Sequence, residues 1–331
     1  MILKLLLGLT VILIGAELFT NGIEWLGCRL GLSEGAVGSV LAAVGTALPE
    51  SIIPIVAILF SNDSAASHIG IGAILGAPFM LGTLALCITG VSAKLFIWRG
   101  AGVKELNVNT KIISRDLLFF IGMYGFALGV SLLENKSIHY LTAFVLLIMY
   151  AVYVYYTVNT GGEMGDEDLK PLYCHFWSRP GLIVITFQIT LALMAIIWGA
   201  SFFVDGINSL AKNMGMPSLV LALIIAPIAT ELPEKFNSVI WIAQRKDTLA
   251  LGNITGAMVF QSSVIPAFGL IFTPWQLNGT ALLSGILVLS SIIILIFNLI
   301  RTGKLSTFLL IFCGVFYFIF IGIVVWGMSY V

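Results

Sequence analysis

Residues 199–234 read GASFFVDGINSLAKNMGMPSLVLALIIAPIATELPE, and residues 15–50 read GAELFTNGIEWLGCRLGLSEGAVGSVLAAVGTALPE. Displaced by 184 residues, the two align without a gap, and Gly15/Gly199, Gly22/Gly206, Gly31/Gly215, Thr46/Thr230, Pro49/Pro233 and Glu50/Glu234 coincide. Apolar stretches look alike by composition alone, but composition does not keep glycine, proline and glutamate in register. The chain therefore reads as an internal duplication. A second block follows at an offset of 180, where GAILGAPFM (72–80) meets GNITGAMVF (252–260) and Gly72/Gly252 and Gly76/Gly256 coincide.

The setting of these repeats is lipid. Of 331 residues 59% are hydrophobic and 10% charged, with a mean hydropathy of +1.07; a soluble domain carries about 25% charged residues. Only helices and closed barrels satisfy their backbone in lipid. Runs such as LTAFVLLIMYAVYVYYTV are too long and too continuous for barrel strands. Ten helices are predicted, at 2–27, 36–60, 67–91, 114–133, 138–158, 181–211, 217–243, 248–272, 277–300 and 305–330. The opening MILKLLLGLTVILIG has the look of a signal-peptide core, but no small-residue cleavage site follows, so it is read as the first span.

The expected fold is thus an all-α membrane protein of ten transmembrane helices. Residues 1–158 form a first five-helix repeat, 159–180 a cytosolic loop, and 181–331 a second five-helix repeat. An odd number of spans per copy makes the copies cross the membrane in opposite senses, a transporter architecture with its site at the midplane. The loops after the odd-numbered helices hold twelve lysines and arginines, among them Arg29, Lys94, Arg115, Lys170 and Arg301, against Lys4, Lys136 and Lys212 on the other side. The bias predicts both termini outside a cell membrane.

The site candidates follow from the paired L-P-E elements, GTALPES in helix 2 and ATELPEK in helix 7. A proline within a helix removes a backbone hydrogen bond, so carbonyls near Ala226 and Ala229, or Leu41, Val44 and Gly45, need new partners. A carboxylate at the bilayer centre costs a few kcal/mol or more, so Glu50 and Glu234 are expected to face each other inside the bundle. Two carboxylates with opened carbonyls make an oxygen cage suited to hard cations such as Ca²⁺, Mg²⁺ or Na⁺. The bland alternative is a kinked helix whose glutamate bonds to a neighbour. The G-x-x-x-G pairs of helices 3 and 8 allow close approach to the kinks, which offers Thr83, Asn253, Gln261, Ser262 and Ser263 as further polar groups. Glu231 and Lys235 are four apart on one helix face. Either Lys235 neutralises Glu231, leaving Glu50 and Glu234 for a divalent cation, or Lys235 is a tethered cation that competes with the transported ion. A third reading has Lys235 snorkelling to a polar surface.

These residues resemble the sodium/calcium exchanger family of the cation/calcium exchanger superfamily. The segments GAELFTNGIEWLGCRLGL, GTALPES, GAILGAP and GNITGA are similar to its two alpha-repeats, and the likeness covers most of both halves. The resemblance implies ten helices in two inverted repeats and exchange of Ca²⁺ for Na⁺ or H⁺ through a central site. It puts the acidic ligands at Glu50 and Glu234 and the sodium-binding threonine carbonyls at Thr46 and Thr230. The chain departs from that pattern at Ala47, Glu231, Ala77, Ala257, Leu81 and Gln261. Repeat one has lost oxygen ligands and repeat two has gained a carboxylate, which points to fewer ions per cycle or to protons as counter-substrate.

The expected function is a secondary cation antiporter with inorganic cations and the lipid bilayer as its partners, and no cofactor. The alternatives are a proton- or sodium-coupled carrier of another substrate on this scaffold, or a non-transporting membrane scaffold. A zero net charge leaves no basic surface for nucleic acid. There is no HExxH, nucleotide motif or Ser/His/Asp set for an enzyme, and no CxxC for zinc or iron. Glu17, Asn21, Glu24, Asp205 and Asn208 line ion entry paths or sit at wet helix ends. The run EMGDED (163–168) lacks the spacing of a twelve-residue calcium loop and reads as a solvated acidic loop.

Overall fold

The computed structural model describes residues 2–29, 47–60, 64–98, 106, 108–160, 171–174, 181–243, 245, 247–277 and 279–328; the side chains of Glu24, Leu48, Pro49 and residues 231–237, among others, lie outside that description. The regular elements among the described residues are all helical: α1 (Ile2–Arg29), α2 (Leu48–Leu59), α3 (Ser64–Met80), a π-helical segment (Leu81–Ala85), α4 (Leu86–Trp98), α5 (Thr110–Val130), α6 (Lys136–Thr160), α7 (Leu182–Met214), α8 (Ser218–Ala243), α9 (Asp247–Phe272), α10 (Gly279–Thr302) and α11 (Thr307–Met328). Eight helical stretches among them, of 20 to 33 residues, are long and apolar enough to cross a membrane. The chain is an all-helical, multi-pass membrane protein.

Eight of the ten expected spans are recognisable among the described residues, with corrections at their ends; of the expected 36–60 and 217–243, the apolar helical stretches described are Glu50–Leu59 and Ser218–Thr230. The third is longer than expected, because α3, the π segment and α4 run on as one rod from Ser64 to Trp98. The fourth begins at Thr110, not 114, so Lys111 and Arg115 are helical residues and not loop residues. Its start is set by Asn109, whose side chain accepts a hydrogen bond from the Lys111 amide. Of the expected helix 36–60, residues 36–46 lie outside the described residues, and the visible part starts at Leu48.

Glycines decide which rods touch. In α1 and α7 they let two backbones meet: a Cβ on Gly8 would lie 2.7 Å from the Gly199 carbonyl, and one on Gly199 would lie 2.9 Å from the Gly8 carbonyl. The rest of the seam shows the helices running antiparallel, since Gly15 abuts Ile196 and Gly22 abuts Ile189, while Gly199 abuts Ile12 and Gly206 abuts Leu5. Shifting Gly15–Ile196 by the 184-residue offset gives Gly199–Ile12, and shifting Gly22–Ile189 gives Gly206–Leu5. Each contact thus has its own image across the seam.

α3 is the second close crossing. A Cβ on Gly72 would run into the Leu219 carbonyl of α8, and one on Gly76 into the Leu223 carbonyl and the Pro227 ring. The first G-x-x-x-G therefore does press α3 onto the L-P-E helix of the second half. The second does not show the matching contact: Gly252 has nothing within 4 Å and Gly256 only the Tyr153 hydroxyl at 3.7 Å, among the described residues. The segment that would mirror α8, residues 35–43, lies outside them.

Candidate functional site

The first turn of α2 carries the most telling side chain. Glu50 is 5% exposed, in a helix whose N-terminal turn is built from Leu48 and Pro49. Proline suits that turn because it has no N–H to leave unpaired. Ser51 closes the turn, its hydroxyl donating to the Ala47 carbonyl at 2.6 Å.

Glu50 lines a tight cavity between α2, α3 and α8, too narrow to admit a water-sized sphere. Ile53 of α2, Ala73 and Ala77 of α3, and Ala226, Pro227 and Thr230 of α8 complete the described lining. A glutamate from the first half and a threonine from the second thus line the same cavity. Glu50 and Thr230 are its polar side chains among the described residues; Ala77 adds no side-chain oxygen.

The remaining candidates divide. Thr46 lies outside the described residues, as do the side chains of Glu231, Glu234 and Lys235. Thr230 is fully buried, and its hydroxyl donates to the Ala226 carbonyl at 2.9 Å. That carbonyl, expected to be left open by proline, is taken by its own helix, a bond that threonine makes readily. α8 stays helical through Pro227 and Pro233, so the expected break is at most a bend. Gln261 is buried and Asn253 half-buried on α9, both outside the cavity lining. Thr83, Ser262 and Ser263 give their hydroxyl protons to carbonyls of their own helices, Phe79 at 2.5 Å and Val259 at 3.0 and 2.7 Å.

Two polar assemblies were not anticipated. Asn21, expected on an entry path or a wet helix end, is 3% exposed and holds the linker: it accepts from the Tyr173 amide and from Gln188, and donates to the Pro171 carbonyl. Gln188 accepts from the Cys174 amide at 2.9 Å, and Leu172 is buried in the same place. Asp116, on α5, is 2% exposed and gathers Arg115, Tyr153 and Thr255. The available signal was an acid within an apolar span, which is costly in lipid and so seldom idle.

A family model described as sodium/calcium exchanger protein matches residues 1–159 and 184–326. CaxA of Alkalimonas amylolytica is 26% identical over 309 residues, covering 91% of this chain and 90% of that protein. Sodium/calcium exchanger MaX1 of Methanosarcina acetivorans is 24% identical over 334 residues, covering 90% and 91%. The crystal structure of the H⁺/Ca²⁺ exchanger CAX superimposes with a TM-score of 0.76 at 17% identity, over 97% of this chain and 80% of that one, a likeness of fold.

Proposed function

Because the chain belongs to the sodium/calcium exchanger protein family, we propose that it is a secondary antiporter exchanging Ca²⁺, or another divalent cation, for Na⁺ or H⁺ by alternating access. The observation that carries this reading is the buried Glu50 side chain lining one tight cavity with Thr230. A buried carboxylate beside apolar walls favours a cation that enters without its full hydration shell. In this reading Glu50 and Glu234 are the charged ligands, the Thr46 and Thr230 backbones add carbonyl oxygens, and Glu231, Asn253 and Gln261 supplement them. Lys235 balances Glu231. The scarcity of oxygens on the α3 wall supports few ions per cycle and favours the proton as counter-substrate.

The fold proposed with it is ten helices in two inverted repeats, 1–158 and 181–331, around the loop 159–180, in the cell membrane with both termini outside. The exchanged contacts of α1 and α7 support the inversion, since an antiparallel pair whose contacts swap under the repeat offset has a two-fold axis across it. The test is uptake of radioactive Ca²⁺ into sealed vesicles with an imposed Na⁺ or pH gradient, competed by Mg²⁺, Mn²⁺, Na⁺ and H⁺. Uptake is expected for the wild type and not for Glu50→Gln or Glu234→Gln. Uptake unchanged in both variants would refute the site.

A further inference from the structure

The carboxylate of Asp116 lies outside the cavity of Glu50 and is bonded from three helices. Its Oδ1 accepts from Arg115 Nε at 3.1 Å, Arg115 Nη2 at 2.9 Å and the Tyr153 hydroxyl at 3.2 Å. Its Oδ2 accepts from the Thr255 hydroxyl at 2.8 Å. The Arg115 guanidinium also sits over the Tyr153 ring, 5.2 Å from its centroid. Asp116 and Arg115 belong to α5, Tyr153 to α6 and Thr255 to α9.

We infer that Asp116 is a positioning residue, which through Thr255 sets the rotation of α9 and with it the side chains α9 offers to the transported cation. This rests on the exchanger reading. Thr255 lies in GNITGA, between Gly252 and Gly256, on a stretch of α9 whose Leu251 and Ile254 are fully buried in the core, and its hydroxyl is the polar contact that stretch makes to Asp116. Asn253 is two residues before it and Gln261 six after. The Tyr153 hydroxyl that donates to Asp116 also stands 3.7 Å from where a Cβ on Gly256 would be, so one network meets α9 at two successive residues, Thr255 and Gly256.

Packing alone does not call for this arrangement. Replacing a buried ion pair by apolar groups of similar volume is often neutral or stabilising, so what the pair adds is direction. Another interhelical contact, from α10 to the π segment, is made through a neutral bond, Ser291 hydroxyl to Gly82 carbonyl at 2.8 Å. A helix contact of this kind is thus made in this protein without a charge, and the charge at Asp116 serves orientation.

The test uses the full chain in vesicles and measures Ca²⁺ uptake against Ca²⁺ concentration for wild type, Thr255→Val, Thr255→Ser and Asp116→Asn, with Tyr153→Phe as the mildest variant should Asp116→Asn fold poorly. Groups that orient a metal ligand typically contribute 10–100-fold to affinity, so Thr255→Val and Asp116→Asn are expected to raise the apparent KM about tenfold at a maximal rate within about twofold. Tyr153→Phe shifts KM in the same direction by less, and Thr255→Ser, which keeps the hydroxyl, restores the wild-type KM. Variants that lower only the folded amount or the maximal rate, or a Thr255→Ser that behaves as Thr255→Val, overturn the inference and leave the exchanger reading standing. Wild-type vesicles without cation uptake overturn the exchanger reading and this inference together.

Discussion

At the scale of the residue, Glu50 and Thr230 behave differently and their variants separate the roles. Glu50 is a buried acid among Ile53, Ala73, Ala77, Ala226 and Pro227. Glu50→Gln keeps the shape and removes the charge that a cation would answer. A cation at 100 times its Kd stabilises a protein by about 2.7 kcal/mol; the variant loses that Ca²⁺-induced rise in Tm, read by thermal unfolding in detergent. Thr230→Val is expected to do the opposite. Its hydroxyl serves the Ala226 carbonyl, so the variant loses about 1 kcal/mol of stability and still transports, since its own carbonyl survives. Both positions were legible in the sequence because duplication marks them twice. Asp116 has no counterpart in the second half, and its meaning depends on Tyr153 and Thr255, 37 and 139 residues away.

At the scale of the element, helix existence was legible from apolar length alone, while helix ends and helix irregularities were not. Lys111 and Arg115 looked like loop because charge in an apolar sequence suggests water; the Asn109 cap and the Asp116 partner let the helix start before them. The π segment Leu81–Ala85 leaves no mark in composition, since it depends on Ser291 of α10 taking the Gly82 carbonyl and on Val288 pressing against Gly82. The α3–α8 crossing is where the element scale makes a prediction. Gly76→Ala puts a methyl into the backbone carbonyl of Leu223 and 2.8 Å from Cγ of the Pro227 ring, neither the far end of a flexible side chain. Overpacking of this kind costs about 1–3 kcal/mol, and relief requires α3 and α8 to part at the wall of the Glu50 cavity. Lower Tm and weaker Ca²⁺ uptake are expected together. Gly122→Ala on α5, with nothing within 4 Å among the described residues, is expected to be neutral or stabilising by up to about 1 kcal/mol; equal losses at both glycines would contradict the close crossing.

At the scale of the whole molecule, the two halves are joined by a linker that is more than a tether. Leu172 is buried, and the backbone of residues 171–174 satisfies Asn21 of α1 and Gln188 of α7, so the connection is seated on the same helix pair whose glycine seam carries the exchanged contacts. Sequence reading treated residues 159–180 as one loop because polarity in that stretch hides the few atoms that dock. The docked piece also fixes which face it reports. Cys174 is exposed, whereas Cys313 is buried and Cys87 half-buried in helices α11 and α4. If the basic loops lie inside the cell, Cys174 lies there too, and Lys212, exposed near the end of α7, lies outside. In a Cys28→Ser background, a membrane-impermeant maleimide is therefore expected to label Cys174 only after cells are permeabilised. A Lys212→Cys protein is expected to take a further label in intact cells. Labelling of Cys174 in intact cells would turn the molecule over, place the lysine- and arginine-rich loops outside, and contradict the charge asymmetry from which the orientation was derived.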